Sequence, residues 1–390
     1  MHYPVTQGRS CIAGGRDGQG HDDDSYQHPT PAQATTQDRT PAPGYLAAQL
    51  TVLADMSDRT PSATLKPMFT VPGTAQQAAR NGPLFIVLNA ASGHKDTDEQ
   101  RRVLTEVFNS AGRAFEFLQF DNPASIAMVS SKAVAQATEK GGVVVAAGGD
   151  GTINAVAAAV LRSGCPFGVL PQGTFNYFGR ENGIPQDARA AATALLGASI
   201  SPVTVGEVNG RVFLVNASLG LYPQLLEDRE TWKKQFGRSR LVAFASGLAT
   251  ILQARGQLKL EIELAGKTTQ LRTPTLFIGN NHLQLFQVGI LEAHANAVNR
   301  GELAGIAVRP MGTLALLGLL ARGVIGRLGD TDNIESFSFR KLKVTMRGKR
   351  RVKVATDGEI TWMVPPLVFQ VAETPLLLMV PAAADRAEVA

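Results

Sequence analysis

Two cysteines, Cys11 and Cys165, are too few in 390 residues for a disulfide framework, so the chain must hold together by its core, and a reducing cytoplasm is the expected compartment. No run of about eighteen apolar residues occurs, which excludes a membrane-spanning helix. The first residues lack a basic start followed by an apolar stretch, so no secretory signal is read. Aromatic residues are only 6% of the chain and no binding module is recognisable, which argues against nucleic acid as a partner. What remains, 44% hydrophobic and 18% charged, is the composition of a globular protein long enough for two domains.

The first 80 residues stand apart. They carry His21-Asp22-Asp23-Asp24, Pro29-Thr30-Pro31 and Thr40-Pro41-Ala42-Pro43-Gly44 with no sustained periodicity, and read as a disordered tail with one short helix over Tyr45–Leu53. Met56 or Met68 is a candidate alternative start. The excess of 38 Lys/Arg over 33 Asp/Glu falls beyond this tail, and a basic folded part suits an anionic partner.

Order begins at Pro83–Asn89, an apolar run. Helix patterns follow over Thr97–Ser110, Ala124–Glu139 and Asn154–Arg162, interleaved with strands at Phe115–Phe120, Val143–Ala147 and Pro166–Leu170. This alternation predicts a doubly wound parallel sheet over residues 81–200. Ligands of such sheets lie at the carboxyl ends of the strands, where three polar loops fall: Asn89–Gly93, Gly148–Asn154 and Pro171–Asn176. The middle loop, Gly148-Gly149-Asp150-Gly151-Thr152-Ile153-Asn154, has the layout of a phosphate cradle. Its glycines let the backbone approach a polyphosphate, and a helix N-terminus turns N–H groups toward the anion. Thr152 adds a hydroxyl, and Asp150 is suited to Mg²⁺ or to proton transfer.

Beyond about Ser201 the texture becomes β-rich. Asn209-Gly210 between Val203–Val208 and Arg211–Val215 signals a hairpin, and Ala265-Gly266-Lys267 separates Leu258–Leu264 from Thr268–Ile278. Further strands are read at Gly305–Val308, Ser336–Met346, Arg351–Ala355, Glu359–Val364, Leu367–Val371 and Leu376–Val380. Helices are expected near Tyr222–Gln235, Leu241–Ala254 and Thr313–Arg327. Residues 201–380 thus read as a mostly antiparallel second domain, and 381–390 as a short tail.

A second glycine loop, Pro171-Gln172-Gly173-Thr174-Phe175-Asn176, and a late Thr356-Asp357-Gly358-Glu359 complete a set that opens with Asn89-Ala90-Ala91-Ser92-Gly93. In this order the set resembles the diacylglycerol kinase and sphingosine kinase catalytic superfamily, most closely its bacterial lipid kinase branch, over roughly residues 83–380. The resemblance implies a Rossmann-like ATP-binding domain joined to a β-sandwich-like domain, with the active site in the cleft between them. It implies transfer of the ATP γ-phosphate, with Mg²⁺, to a lipid hydroxyl such as that of diacylglycerol or a sphingoid base. Glu359 matches the family's proton acceptor, and Asp357 is placed to orient it or the acceptor. Asn89, Ser92, Gly93, Gly148, Gly149, Gly151, Thr152, Asn154, Gly173, Thr174, Asn176 and Asp357 match nucleotide-site positions. As plain structure, Asn176 would instead cap a helix and Asp357-Gly358 would be a hairpin turn.

Four positions depart from that pattern. Ala90 replaces a frequent proline, Phe120-Asp121 stands where a nucleotide-contacting threonine is common, and Tyr177 replaces an aspartate. Arg300, before Gly301, replaces an aspartate of the structural Mg²⁺ site found in bacterial members. A guanidinium cannot ligate Mg²⁺, so that structural metal is expected to be missing, with Arg300 paired to a nearby carboxylate. A lipid substrate at a membrane surface and ATP are the expected partners, with a homodimer allowed, and the expected location is cytoplasmic with peripheral membrane association. Two segments suit a membrane interface, 229–240 with Trp232 and Phe236 among basic residues and the apolar 313–328. The densest basic run, Arg340–Lys353, leads straight into Asp357-Gly358-Glu359 and suits phosphates or lipid headgroups. A kinase of a soluble substrate, akin to NAD kinases, and a non-catalytic nucleotide or lipid sensor are the competing readings.

Overall fold

The computed structural model describes residues 70–90, 94–221, 223, 257–287, 292–312, 315, 318, 333–346 and 348–388. Ser92 and Gly93, the short helix over 45–53, the three helices expected within 222–254 and 313–327, and both interface segments lie outside these or almost wholly so.

Helix α1 (Gly73–Asn81) precedes the first strand, so the tail reading of residues 1–80 ends too late. Ala75, Ala78 and Ala79 recur at helical spacing and are buried, a small-residue stripe whose amphipathicity is easily missed beside so many alanines. The Arg113 guanidinium donates to the carbonyls of Ala78 and Ala79 at 3.1 and 2.8 Å and also to that of Arg80, closing the helix C-terminus.

Strand β1 (Leu84–Asn89), helix α2 (His94–Ser110), β2 (Phe115–Phe120), α3 (Ile126–Lys140), β3 (Val143–Gly148), α4 (Asp150–Val160) and β4 (Phe167–Pro171) follow the expected alternation. Short α5 (Tyr177–Glu181), α6 (Ala188–Leu196) and β5 (Ser199–Val203) complete this part. The strands form one sheet of order β2-β1-β3-β4-β18-β5, parallel from β2 through β18 (Leu376–Val380). Strand β5 runs antiparallel at its edge. Alternate residues feed two cores, Phe85, Val87, Val144 and Ala146 into one and Leu84, Ile86, Leu88, Val143 and Val145 into the other. Apolar side chains on both faces are what a helix-covered parallel sheet demands.

Strand β18, read as the end of the second domain, therefore lies inside the first sheet. Its residues Leu376-Leu377-Leu378-Met379-Val380 are all buried. A short apolar strand looks the same in either sheet, so periodicity could not assign it.

Two antiparallel sheets hold most of the rest. The first has order β10-β9-β14-β17-β6-β7 and the second β13-β12-β11-β8-β15-β16. Their strands are β6 (Gly206–Val208), β7 (Arg211–Phe213), β8 (Asn216–Gly220), β9 (Leu258–Leu264), β10 (Lys267–Thr273), β11 (Thr275–Gly279) and β12 (Leu303–Val308). Then come β13 (Ile334–Phe339), β14 (Lys341–Met346), β15 (Val352–Thr356), β16 (Glu359–Met363) and β17 (Leu367–Val371). The two sheets share one core, to which Ile262, Val344 and Phe369 contribute from the first and Leu219, Leu276 and Phe337 from the second. Two runs read as single strands are each split between the sheets, 268–278 at Pro274 and 336–346 at Arg340. A proline cannot donate to a ladder, which explains the first break. Helices α7 (His282–Gln287) and α8 (Glu292–Asn299) were not anticipated.

Candidate active site

In the parallel sheet β1 pairs with β2 on one side and β3 on the other, so the strand order reverses direction between β1 and β3. A crevice at the carboxyl ends of these two strands is where such sheets bind ligands. Asn89 ends β1, half-buried, and Gly148 ends β3. The two glycine loops meet there, as Gln172 donates its N–H to the Gly148 carbonyl at 2.8 Å.

Helix α4 begins at Asp150, four residues earlier than the apolar pattern suggests, because Gly149 is its N-cap in an extended conformation. Gly151, Thr152 and Asn154 are thus helical, and the side chains of Thr152 and Asn154 point in different directions. Thr152 is buried and packs under the turn, so close to Gly148 that a Cβ there would lie 2.6 Å from the threonine Cβ. Gly151 is exposed at the helix N-terminus.

A Cβ on Gly173 would lie 2.9 Å from the Gly149 Cα, so the loops touch through their glycines. Asn176 sits in the left-handed region and is buried. It does not cap α5. Its Oδ1 accepts from Gly173 N at 2.9 Å, and its Nδ2 donates to Gly173 O at 2.9 Å and to Gln186 Oε1 at 2.7 Å. The residue holds the second loop in shape, leaving Gly173 and Thr174 exposed. Beside them a cavity of about 410 Å³ is lined by Gly173, Thr174, Phe175 and Arg180 among others. Tyr177, one of the departures, stacks on Phe175 with ring centroids 5.9 Å apart.

The Asp150 carboxylate bridges the loops. Its Oδ2 accepts from Asn176 N at 3.0 Å, while the buried Oδ1 has no protein partner. Burial raises its pKa above the ordinary aspartate value, against the opposing pull of the Asn176 and Tyr177 backbone N–H groups. A buried carboxylate oxygen without a donor fits a cation, and one carboxylate with substrate phosphates is a common Mg²⁺ arrangement. Among the described residues no three acidic, histidine or cysteine side chains cluster as a self-sufficient metal site.

The Asp357-Gly358 pair is a two-residue hairpin turn, with both residues at positive φ (+46° and +87°), joining β15 to β16. Its carboxylate turns away from Glu359, contrary to the orienting role expected of it. It accepts four hydrogen bonds, from Asn154 Nδ2 at 2.6 Å, Leu214 N at 2.7 Å, and Val215 N and Asn216 N at 2.9 Å each. Asp357 and Asn154 thus tie α4 to the β7–β8 segment, and the Asp357 carboxylate is taken up by these four donors. Enclosure raises the Asp357 pKa to about 6 despite these donors.

Glu359 opens β16 and is exposed, with Oε1 3.7 Å from where a Cβ on Gly151 would stand. The β-rich part therefore delivers this carboxylate to the start of α4. Arg211, which the sequence reading passed over, orients it. Its Nη2 donates to Glu359 Oε2 at 2.8 Å and its Nε to Thr356 Oγ1 at 2.9 Å. Asn209-Gly210 just before it gave the hairpin, but nothing in one sequence placed the guanidinium beside residue 359.

Arg300 lies far along the chain in the α8–β12 turn, Nη2 3.7 Å from Glu302 Oε2. A second guanidinium, that of Arg340, donates to the Gly301 carbonyl at 2.9 Å. Two positive groups on this turn oppose a cation there.

Residues 83–208 match the model of the diacylglycerol kinase catalytic domain. The chain is 37% identical over 156 residues to a protein of Pseudomonas aeruginosa named probable lipid kinase YegS-like, which covers 39% of this chain and 50% of that protein. It is 35% identical over 130 residues to a diacylglycerol kinase of Bacillus subtilis, covering 33% of this chain and 42% of the other. The chain spans about half the length of the curated relatives it matches. A crystal structure of a diacylglycerol kinase from Bacillus anthracis superposes with a TM-score of 0.55 at 16% identity, covering 77% of this chain and 97% of that one, a likeness of fold.

Proposed function

From the premise that residues 83–208 are a diacylglycerol kinase catalytic-type domain, we propose that the chain is an ATP-dependent lipid kinase. One observation carries the reading: Glu359 stands beside Gly151, at the helix start where a polyphosphate would meet backbone N–H groups. Phosphoryl transfer asks mainly for positioning and charge neutralisation. The exposed glycines Gly151 and Gly173 let the triphosphate approach the two loops. Asp150 Oδ1 would hold Mg²⁺ arriving with ATP. That ion, when bound, neutralises phosphate charge.

Glu359 takes the proton from the acceptor hydroxyl as its oxygen attacks the γ-phosphorus. The bond to the bridging oxygen of the β-phosphate breaks, ADP leaves, and the lipid departs as its phosphate ester. Arg211 keeps the carboxylate in place without burying it.

The test is incubation with γ-labelled ATP, Mg²⁺ and detergent-dispersed diacylglycerol, monoacylglycerol, ceramide and sphingoid base, beside a Glu359→Gln variant. Label in one lipid class, lost in the variant, is the expected result. Label in NAD or another soluble alcohol would replace this reading with the soluble-substrate one. ATP binding with no transfer to any acceptor would replace it with the sensor.

A further inference from the structure

The β15–β16 hairpin has two ends of different character. Its turn carries Asp357-Gly358-Glu359. Its open end carries Lys349, Arg350 and Arg351, all exposed, and then Lys353, which pairs across the ladder with Trp362. Residues 341–356 contain seven Lys/Arg and no Asp or Glu.

Side-chain alternation fixes which groups share a face. Val352 and Met363 are directly paired and point into the core between the sheets. Lys353 and Trp362, one step away, therefore point outward, as do Arg351 and Val364. Trp362 is 59% exposed and Val364 60%, two of the five large apolar side chains that stand out among the described residues. The Lys353 ammonium lies 5.3 Å from the Trp362 ring centroid. Strand β16 is also a sheet edge. The cations stand on or just before its neighbour β15, so protection of the edge against strand pairing accounts neither for them nor for a tryptophan and a valine held in water. An exposed indole framed by cations matches the headgroup layer of an anionic bilayer, where the ring takes the boundary and the cations take the phosphates.

We propose that the open end of this hairpin, Trp362 and Val364 framed by Lys349, Arg350, Arg351 and Lys353, is a docking surface for anionic membrane lipid. The inference rests on the lipid-kinase reading for its purpose, and not for its test. Glu359 lies three residues from Trp362 on the same strand, about 10 Å at the usual rise and, by the same alternation, on its opposite face. The surface would hold the bilayer within one strand's length of the proposed base.

The test uses the full chain without ATP. Trp232→Phe leaves Trp362 as the sole tryptophan. Its emission should shift to the blue on vesicles of equimolar phosphatidylcholine and phosphatidylglycerol, and stay unmoved on phosphatidylcholine alone. In co-sedimentation, Lys349→Gln/Arg350→Gln/Arg351→Gln should weaken binding roughly a hundredfold, at about fivefold for each cation near a charged surface. Trp362→Ala should weaken binding at every salt concentration, whereas the charge variant should lose most of the salt dependence. All four positions are exposed, and unchanged circular dichroism would confirm folding. Equal binding by wild type and variants, a shift only from Trp232 in the Trp362→Phe protein, or tight binding of single-stranded DNA with none to vesicles would each overturn the proposal. Because binding is read without turnover, a protein that docks but phosphorylates no lipid would refute the kinase reading and leave the surface standing.

Discussion

Gly151→Ala separates folding from catalysis at one atom. The residue is in the first turn of α4, and a Cβ there meets nothing nearer than Glu359 Oε1 at 3.7 Å, an ordinary contact. Alanine is the better helix former and loses less backbone freedom, so the variant should be more stable by up to about 1 kcal/mol. In thermal unfolding this is a rise of about 1–4 °C. The methyl would nevertheless stand between the N–H groups of α4 and Glu359, in the space assigned to the transferring phosphoryl group. Displacing reacting groups by about 1 Å can lower the rate roughly a hundredfold, so kcat should fall by one to two orders of magnitude. Melting curves and initial rates with the identified lipid acceptor, on the same preparation, measure both effects. A stabilised protein with wild-type kcat would show that nothing reacts between Gly151 and Glu359, and the site would have to be placed elsewhere.

Gly173→Ala should do the opposite to stability, because its Cβ would fall 2.6 Å from Asn176 Oδ1 and 2.9 Å from the Gly149 backbone. A loss of about 1–3 kcal/mol in urea unfolding, with weakened ATP binding, is expected. Glu359→Gln should lower kcat by roughly 10²–10⁴ yet shift stability by less than about 1 kcal/mol, since its ion pair with Arg211 is largely solvent-exposed. Burial lifts the Glu181 carboxyl to about 7, against donors from His282 N and Asn281. A raised carboxyl stabilises most below its unfolded pKa of about 4.5 and loses that contribution as pH climbs through 7, up to about 3 kcal/mol in all. Glu181→Gln should therefore flatten the urea midpoint between pH 5 and pH 8, and an unchanged slope would contradict the assignment. Chelation should abolish turnover that depends on Mg-ATP while leaving the melting temperature of the nucleotide-free protein unmoved, given the guanidinia of Arg300 and Arg340 at the Gly301 turn.

Local chemistry made the first sheet legible. Buried parallel strands such as Val143–Gly148 are apolar throughout, and the glycine loops mark their ends, so the ligand-facing edge could be read directly. Contacts distant in sequence could not. Asp357 looked like a catalytic neighbour of Glu359, but its carboxylate belongs to three backbone N–H groups of residues 214–216 and to Asn154, 203 positions away. Arg211 offered no motif at all, because its importance comes from ladder geometry that sets residue 356 beside 359. The breaks at Pro274 and Arg340 show the other limit. Alternation persists through a strand that changes sheets, and only the proline warned of one of the two crossings.

Strand β18 between β4 and β5 bears on how this protein can be made and dissected. The ribosome releases β4 and β5 about 200 and about 170 residues before their neighbour emerges, so the nascent sheet must wait with an apolar flank uncovered while all the β-rich strands are synthesised. A fragment cut at the boundary of the catalytic-type domain would carry that same gap permanently, and should be recovered as aggregate until a peptide spanning residues 373–382 is supplied in trans.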